Sequence, residues 1–202
     1  TEILRDVGAR VVFDGDVERQ LLGQPAWDRV AVVRYPTRRS FIEMQRRGDF
    51  QEKHVHKDAG MEQTIVLGCL PAGQEAAAET PAAAAAGETV VVVHVLRFAP
   101  GGEAVLAEYG ANVRDIAFAA GARPLASFAV EGTVIGDGRE WDAVRFNGFP
   151  SLAAFEELVG DPRHRDAQPG RAAALADTCA VLVRPRFDRI GPAARADAEG
   201  RV

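Results

Sequence analysis

Apolar residues run almost unbroken from Val90 to Leu96. The run is rich in β-branched residues, so Thr89 to Leu96 reads as a well-buried strand. Pro100-Gly101-Gly102 breaks it. From Glu103 to Ala120 the pattern changes period. Leu106, Tyr109, Val113, Ile116 and Ala120 recur at three- and four-residue spacing, which is one face of a helix. Gly121 stands where a glycine ends such a helix. Leu125 to Glu131 and Trp141 to Phe149 then read as two strands joined at Gly136-Asp137-Gly138, a turn sequence that predicts a hairpin. Pro150-Ser151 opens a second helix through Phe155 and Leu158. Gly160-Asp161-Pro162 interrupts it, and a further helical piece is expected around Arg171 to Ala176. Thr178 to Val183 is the last strand, stopped by Pro185.

The order β-α-β-β-α-β predicts an α+β fold of the ferredoxin-like kind, a four-stranded antiparallel sheet with its helices on one face. The opposite face is left apolar and needs a partner. The chain supplies one, because the pattern occurs twice. Gly8-Ala9-Arg10 recurs 113 residues later as Gly121-Ala122-Arg123. Trp27-Asp28, Pro36, Phe41, Glu43, Thr64 and Pro71 recur 114 residues later as Trp141-Asp142, Pro150, Phe155, Glu157, Thr178 and Pro185. A unit this long is a duplicated small domain rather than a solenoid repeat.

The expected organisation is a first ferredoxin-like repeat over 1–71, a linker over 72–88, a second repeat over 89–185 and a tail over 186–202. In the first repeat, residues 1–7 match only the end of the first helix. Its first strand falls before residue 1, as though about two dozen residues were missing upstream. The linker is built of Ala, Glu, Gly and Pro81.

Composition narrows the classes of function. The net charge of −5 argues against a nucleic-acid partner, which needs a basic stripe. No apolar run reaches the length of a membrane span, and no signal peptide opens the chain, so a cytoplasmic protein is expected. Cys69 and Cys179 lie in apolar runs and read as buried reduced thiols. Lys53 and Lys57 are the only lysines among many arginines. With abundant Ala and Gly, this points to a GC-rich bacterial genome. The chain carries no nucleophile elbow, no P-loop, no dinucleotide fingerprint and no zinc spacing, so no cofactor and no metal site is expected.

The segments VRYPTRRSFIEM (33–44), QEKHVHKDAGMEQT (51–64) and VVVVHVLRFAPGG (90–102) resemble the domain-of-unknown-function 1330 family, within the dimeric α+β barrel superfamily. The resemblance implies two ferredoxin-like units packed sheet to sheet as a pseudo-dimeric barrel, able to homodimerise further. Superfamily relatives include cofactor-free monooxygenases, isomerases and haem-handling proteins, so any transfer of function is analogy. Two departures stand out. His94 replaces an Asn of the family strand. The family's H-R-x-A survives as His56-Lys57-Asp58-Ala59 in the first repeat but becomes Gly170-Arg171-Ala172-Ala173 in the second. The two halves are therefore expected to be unequal at any site.

His54 and His56 are two apart, which on a helix turns their rings roughly 200° apart and disfavours a shared ion. His56 remains a candidate catalytic residue at a pocket rim, because the family motif falls there. His94, inside an apolar strand, is a candidate base or ligand anchor projecting into the barrel, or else a core histidine satisfied by the protein. Arg34 and Tyr35 end a strand where they could hold a carboxylate or carbonyl. Their counterparts Gly148 and Phe149 keep the ring and drop the hydroxyl, which also fits packing. Trp27 and Trp141 read as core anchors. The function expected is binding of a small apolar or aromatic molecule in the barrel cleft. The alternative is a cofactor-independent monooxygenase- or isomerase-type enzyme using His94 or His56.

Overall fold

The computed structural model describes residues 2–52, 60–72 and 88–190. The elements are α1 (Glu2–Asp6), β1 (Arg10–Leu22), β2 (Arg29–Arg34), α2 (Arg38–Arg46), β3 (Val66–Pro71), β4 (Val90–Phe98), α3 (Gly102–Ala119), β5 (Arg123–Ile135), β6 (Ala143–Phe149), α4 (Leu152–Gly160), α5 (Pro162–Ala173) and β7 (Leu175–Asp188). The fold is α+β. One antiparallel seven-stranded sheet runs in the order β2-β1-β7-β4-β6-β5-β3.

Within that sheet, β7-β4-β6-β5 is the complete ferredoxin-like sheet of the second half. Two seams join it to the first half: β1 pairs with β7, and β3 pairs with β5. Each half thus contributes its long second strand to the other's last strand. The inner faces meet around Phe13, Val91, Val93, Trp141, Phe146, Val181 and Val183. Phe13 and Phe146 touch edge to face across the two halves, with ring centroids 5.2 Å apart. Trp141 is buried in this core and Trp27 packs against it.

The helices cover the outer face. Val113 and Ile116 of α3, with Phe155 and Leu158 of α4, pack on Val90, Val92, Phe149 and Leu182. Equivalent positions make equivalent local structure. Gly8 and Gly121 both take positive φ, 71° and 83°, against the rings of Pro36 and Pro150. That backbone region strains any residue with a Cβ. Thr37 caps α2 by accepting from the Ser40 amide, and Ser151 caps α4 by accepting from the Ala154 amide.

Among the boundaries that differ from the pattern reading are three at the C-terminal end. The second helical piece begins at Pro162, because the Asp161 side chain accepts from the Arg163 amide and proline suits the first helical turn. The last strand starts at Leu175 rather than Thr178. It also runs through Pro185 to Asp188, since the pairing with β1 shifts register at Gly15 and there tolerates a residue without an N–H. Ile190 beyond it is buried, so the start of the tail belongs to the core. Cys179 is buried but Cys69 is only half-buried. No helix of the described residues is long and apolar enough to cross a membrane.

Candidate functional site

Alternation along β4 decides where His94 sits. Val91 and Val93 face the interior between the two halves, and Val95 packs against the same cluster. Val90 and Val92 lie on the outer cluster under the helices, and Leu96 on its continuation beneath α3. His94 shares their parity, so it points to the helices and away from the barrel interior. That corrects the expectation that it projects into the barrel. The interior is occupied by Phe13, Phe146 and Phe128, whose rings stack edge to face.

Beneath α3 and α5, His94 belongs to a polar cluster inside an otherwise apolar layer. Cross-strand pairing sets Arg145 of β6 opposite it. Arg171 of α5 reaches down, its Nη2 lying 3.4 Å from His94 Nδ1 and 3.4 Å from Thr178 Oγ1. Further along α5, the Gln168 side-chain amide donates to Tyr109 Oη of α3 at 3.0 Å and lies 3.1 Å from His164 Nε2. Tyr109 Oη and His164 Nε2 are 3.4 Å apart. His164, Gln168 and Arg171 recur at spacings of four and three, which sets them on one face of α5.

The electrostatics are unusual for a protein layer. Burial, helped by Arg171 and Arg145, pushes His94 down to about 3, so its ring is neutral at pH 7. Burial and then Arg171 likewise lower His164. Burial lowers Arg171 itself and raises Tyr109. Among the described residues, no carboxylate bonds to Arg171 or Arg145. Arg145 Nε and His164 Nδ1 are buried without a hydrogen-bond partner. Arg171 thus faces neutral acceptors and Arg145 lies across the strand from a neutral ring, where most buried charges meet an opposite one.

Arg34 and Tyr35 are not part of this cluster. They end β2, on the far edge of the sheet, three strands from β4. Tyr35 donates to Met44 Sδ at 3.2 Å and meets Phe41 edge to face at 5.2 Å. Burial raises its hydroxyl. Phe149 and Phe155 repeat that ring contact at 5.4 Å, so Tyr35 packs α2 onto its strand. His56 and His54 lie outside the described residues. No cluster of His, Cys, Asp or Glu that could hold a metal ion occurs among the described residues.

The sequence reading overlooked Arg145, His164 and Gln168, and it placed Tyr109 only as an apolar-face residue. A polar residue inside an apolar strand (Arg145) and a polar stripe at helical spacing (His164, Gln168, Arg171) were the available signals.

No known family profile matches the chain, and no curated protein does. Solved structures do match. An anthrone oxidase-like protein aligns over 95% of this chain and 87% of its own, with 12% identity and a TM-score of 0.57. A protein of unknown function from Rhodopseudomonas palustris is 26% identical over 49% of this chain and 83% of its own, with a TM-score of 0.45. A dimeric ferredoxin-like protein from Bacteroides fragilis is 13% identical over 48% of this chain and 95% of its own, with a TM-score of 0.35. The chain has the ferredoxin-like α+β barrel fold.

Proposed function

We infer that the protein binds a small organic anion with an apolar or aromatic body, held between the helices α3 and α5 and the sheet. The observation that carries this reading is the pair Arg171 and Arg145, which bond to no carboxylate among the described residues and flank a neutral histidine. An anionic group is the ligand chemistry that would offset both charges. Leu106, Leu96 and Ala143 supply apolar surroundings along the same layer. Tyr109, Gln168 and His164 offer orienting hydrogen bonds. This keeps the small-molecule reading and moves it from the barrel interior to the helix-covered side. Affiliation with the domain-of-unknown-function 1330 family is part of the proposal and rests on the motifs at 33–44, 51–64 and 90–102.

A second reading is supported by His164. Its unpartnered Nδ1 could take a proton from a bound substrate while Nε2 stays with Tyr109 and Gln168, the arrangement a cofactor-independent monooxygenase or isomerase would use. Burial first, and then the two arginines, oppose protonation of His94, which disfavours it as a base.

Titration calorimetry with 1-naphthoate and with neutral 1-naphthalenemethanol tests the first reading. Naphthoate should bind more tightly than the alcohol. Arg171→Gln should weaken naphthoate by about tenfold or more, the size expected for a charge-assisted hydrogen bond. Equal binding of acid and alcohol, or an unchanged acid affinity in Arg171→Gln, would sink it. Native mass spectrometry of the purified protein then reports any retained ligand and its mass.

A further inference from the structure

Two of the buried polar atoms that lack a hydrogen-bond partner among the described residues fall in the polar cluster: Arg145 Nε and His164 Nδ1. They belong to different ends of it. Arg145 lies on the sheet, across from His94 and beside the Arg171 guanidinium. His164 lies on α5, with its Nε2 turned to Tyr109 and Gln168. Along α5, His164 and Arg171 are seven residues apart, two turns and roughly 10 Å of helix rise. A single polar group on a ligand satisfies one end and leaves the other. An unpaired buried polar atom costs more than an ordinary hydrogen bond contributes, so the second end calls for a second polar group.

The chemistry of the two ends differs. The sheet end carries two guanidinium groups and suits a carboxylate. The helix end carries an imidazole held below its ordinary value, by burial first and then by Arg171, so its ring is neutral at pH 7. The Nδ1 of a neutral ring is a donor in one tautomer and an acceptor in the other. A hydroxyl both donates and accepts, so it fits either. A second carboxylate fits less well, because it only accepts and would bring its charge into the field of Asp161, which acts on the same ring. Between the two ends, the Tyr109 ring and Leu106 belong to one apolar cluster, against which a flat ring packs.

We propose that the ligand is a hydroxy-substituted aromatic acid, with its carboxylate at Arg145 and Arg171 and its hydroxyl, across the ring, hydrogen-bonded to His164 Nδ1. This rests on the anion reading above and names the substrate class of that same site. His164 is then the residue that sets specificity, and the two arginines supply the affinity common to all aromatic acids.

Titration calorimetry of the full chain with 1-naphthoate, 4-hydroxy-1-naphthoate and naphthalene-1,4-dicarboxylate tests this. The hydroxy acid should bind about tenfold more tightly than 1-naphthoate, the gain expected from pairing a buried polar atom. The dicarboxylate should show no such gain. Two variants separate a contact at Nδ1 from a general loss of structure. The amide of a glutamine reaches where Nε2 stands, and that of an asparagine where Nδ1 stands. His164→Gln should therefore keep the 1-naphthoate affinity and lose the tenfold preference, whereas His164→Asn should retain the preference. Equal affinity for 1-naphthoate and its hydroxy derivative, with binding still dependent on Arg171, would overturn this inference and leave the anion reading standing. A preference that survives in His164→Gln would also overturn it, as would an equal gain from the second carboxylate. No binding of any of the three acids would overturn the anion reading and this inference with it.

Discussion

Phe149 and Tyr35 occupy equivalent places in the two halves of the molecule and make the same edge-to-face contact with a helix ring. Three residues before each, the halves part company. Phe146 is 2% exposed, while Val32 is only half-buried. The agreement holds wherever partners are close in sequence: strand end, proline, cap, first helical turn. The divergence appears wherever a residue depends on a strand far away. Local helix-on-strand packing needs a few dozen residues, whereas a sheet interior is completed only when both neighbouring strands are present. Among the described residues, Phe146 lies on a strand paired on both sides and Val32 on a strand paired on one.

The comparison breaks most visibly at Phe146 and Val32. Phe146→Ala removes a ring in contact with Phe13 and Phe128 and should lose about 3–5 kcal/mol. Val32→Ala, at the equivalent position, should lose about 1 kcal/mol. Urea unfolding of the two variants measures the difference, and equal losses would show that the open edge is closed in solution.

A middle-sized effect concerns acid. His94 has a lower pKa in the folded protein than the ordinary value of 6.5. The unfolded chain therefore binds the proton first, and stability falls as pH drops below about 6.5 toward about 3. Arg171 and Arg145 face the ring, and the lowered pKa of His164 acts in the same direction. Between pH 7 and pH 4 the contribution should be roughly 3 kcal/mol. His94→Asn should flatten that acid limb in thermal melts recorded across the range. The first half has no described counterpart to β4, so an unchanged limb would mean the acid response arises elsewhere.

The smallest expected effect sharpens the likeness between the halves. Ser151→Ala and Thr37→Ala each remove a helix cap and should cost about 1 kcal/mol apiece. Denaturant midpoints would check this. A much larger loss at Ser151 would show that even local structure depends on the closed sheet.

Most of the fold was legible in the sequence because strand and helix periods are local signals. The run from Val90 to Leu96, the face carrying Leu106, Val113 and Ile116, and the glycines at 8 and 121 each reflect a constraint acting within a few residues. The seams were not readable in the same way. Pro185 reads as a strand end because its missing N–H would interrupt an unbroken ladder, and only the register shift beside Gly15 explains its place. The candidate site was legible only in part. His94 was visible as a polar residue in an apolar run. Its face was not, because a strand buried on both sides gives no alternation to say which residues meet the helices. Arg145 and Arg171 are 26 residues apart and meet His94 only through strand pairing and helix docking.

The β1–β7 seam bears on how the chain acquires its shape. β1 ends at Leu22, and its partner on that side begins at Leu175. During synthesis, the first hairpin emerges long before the strand that will flank it. Contacts this distant in sequence slow folding, because a large loop must close before they form. Until then a strand surface stays open to solvent, where unpaired edges invite wrong pairings. The β1–β7 seam therefore closes across a sequence separation that reaches from Leu22 to Leu175, which places it among the slowest contacts to form.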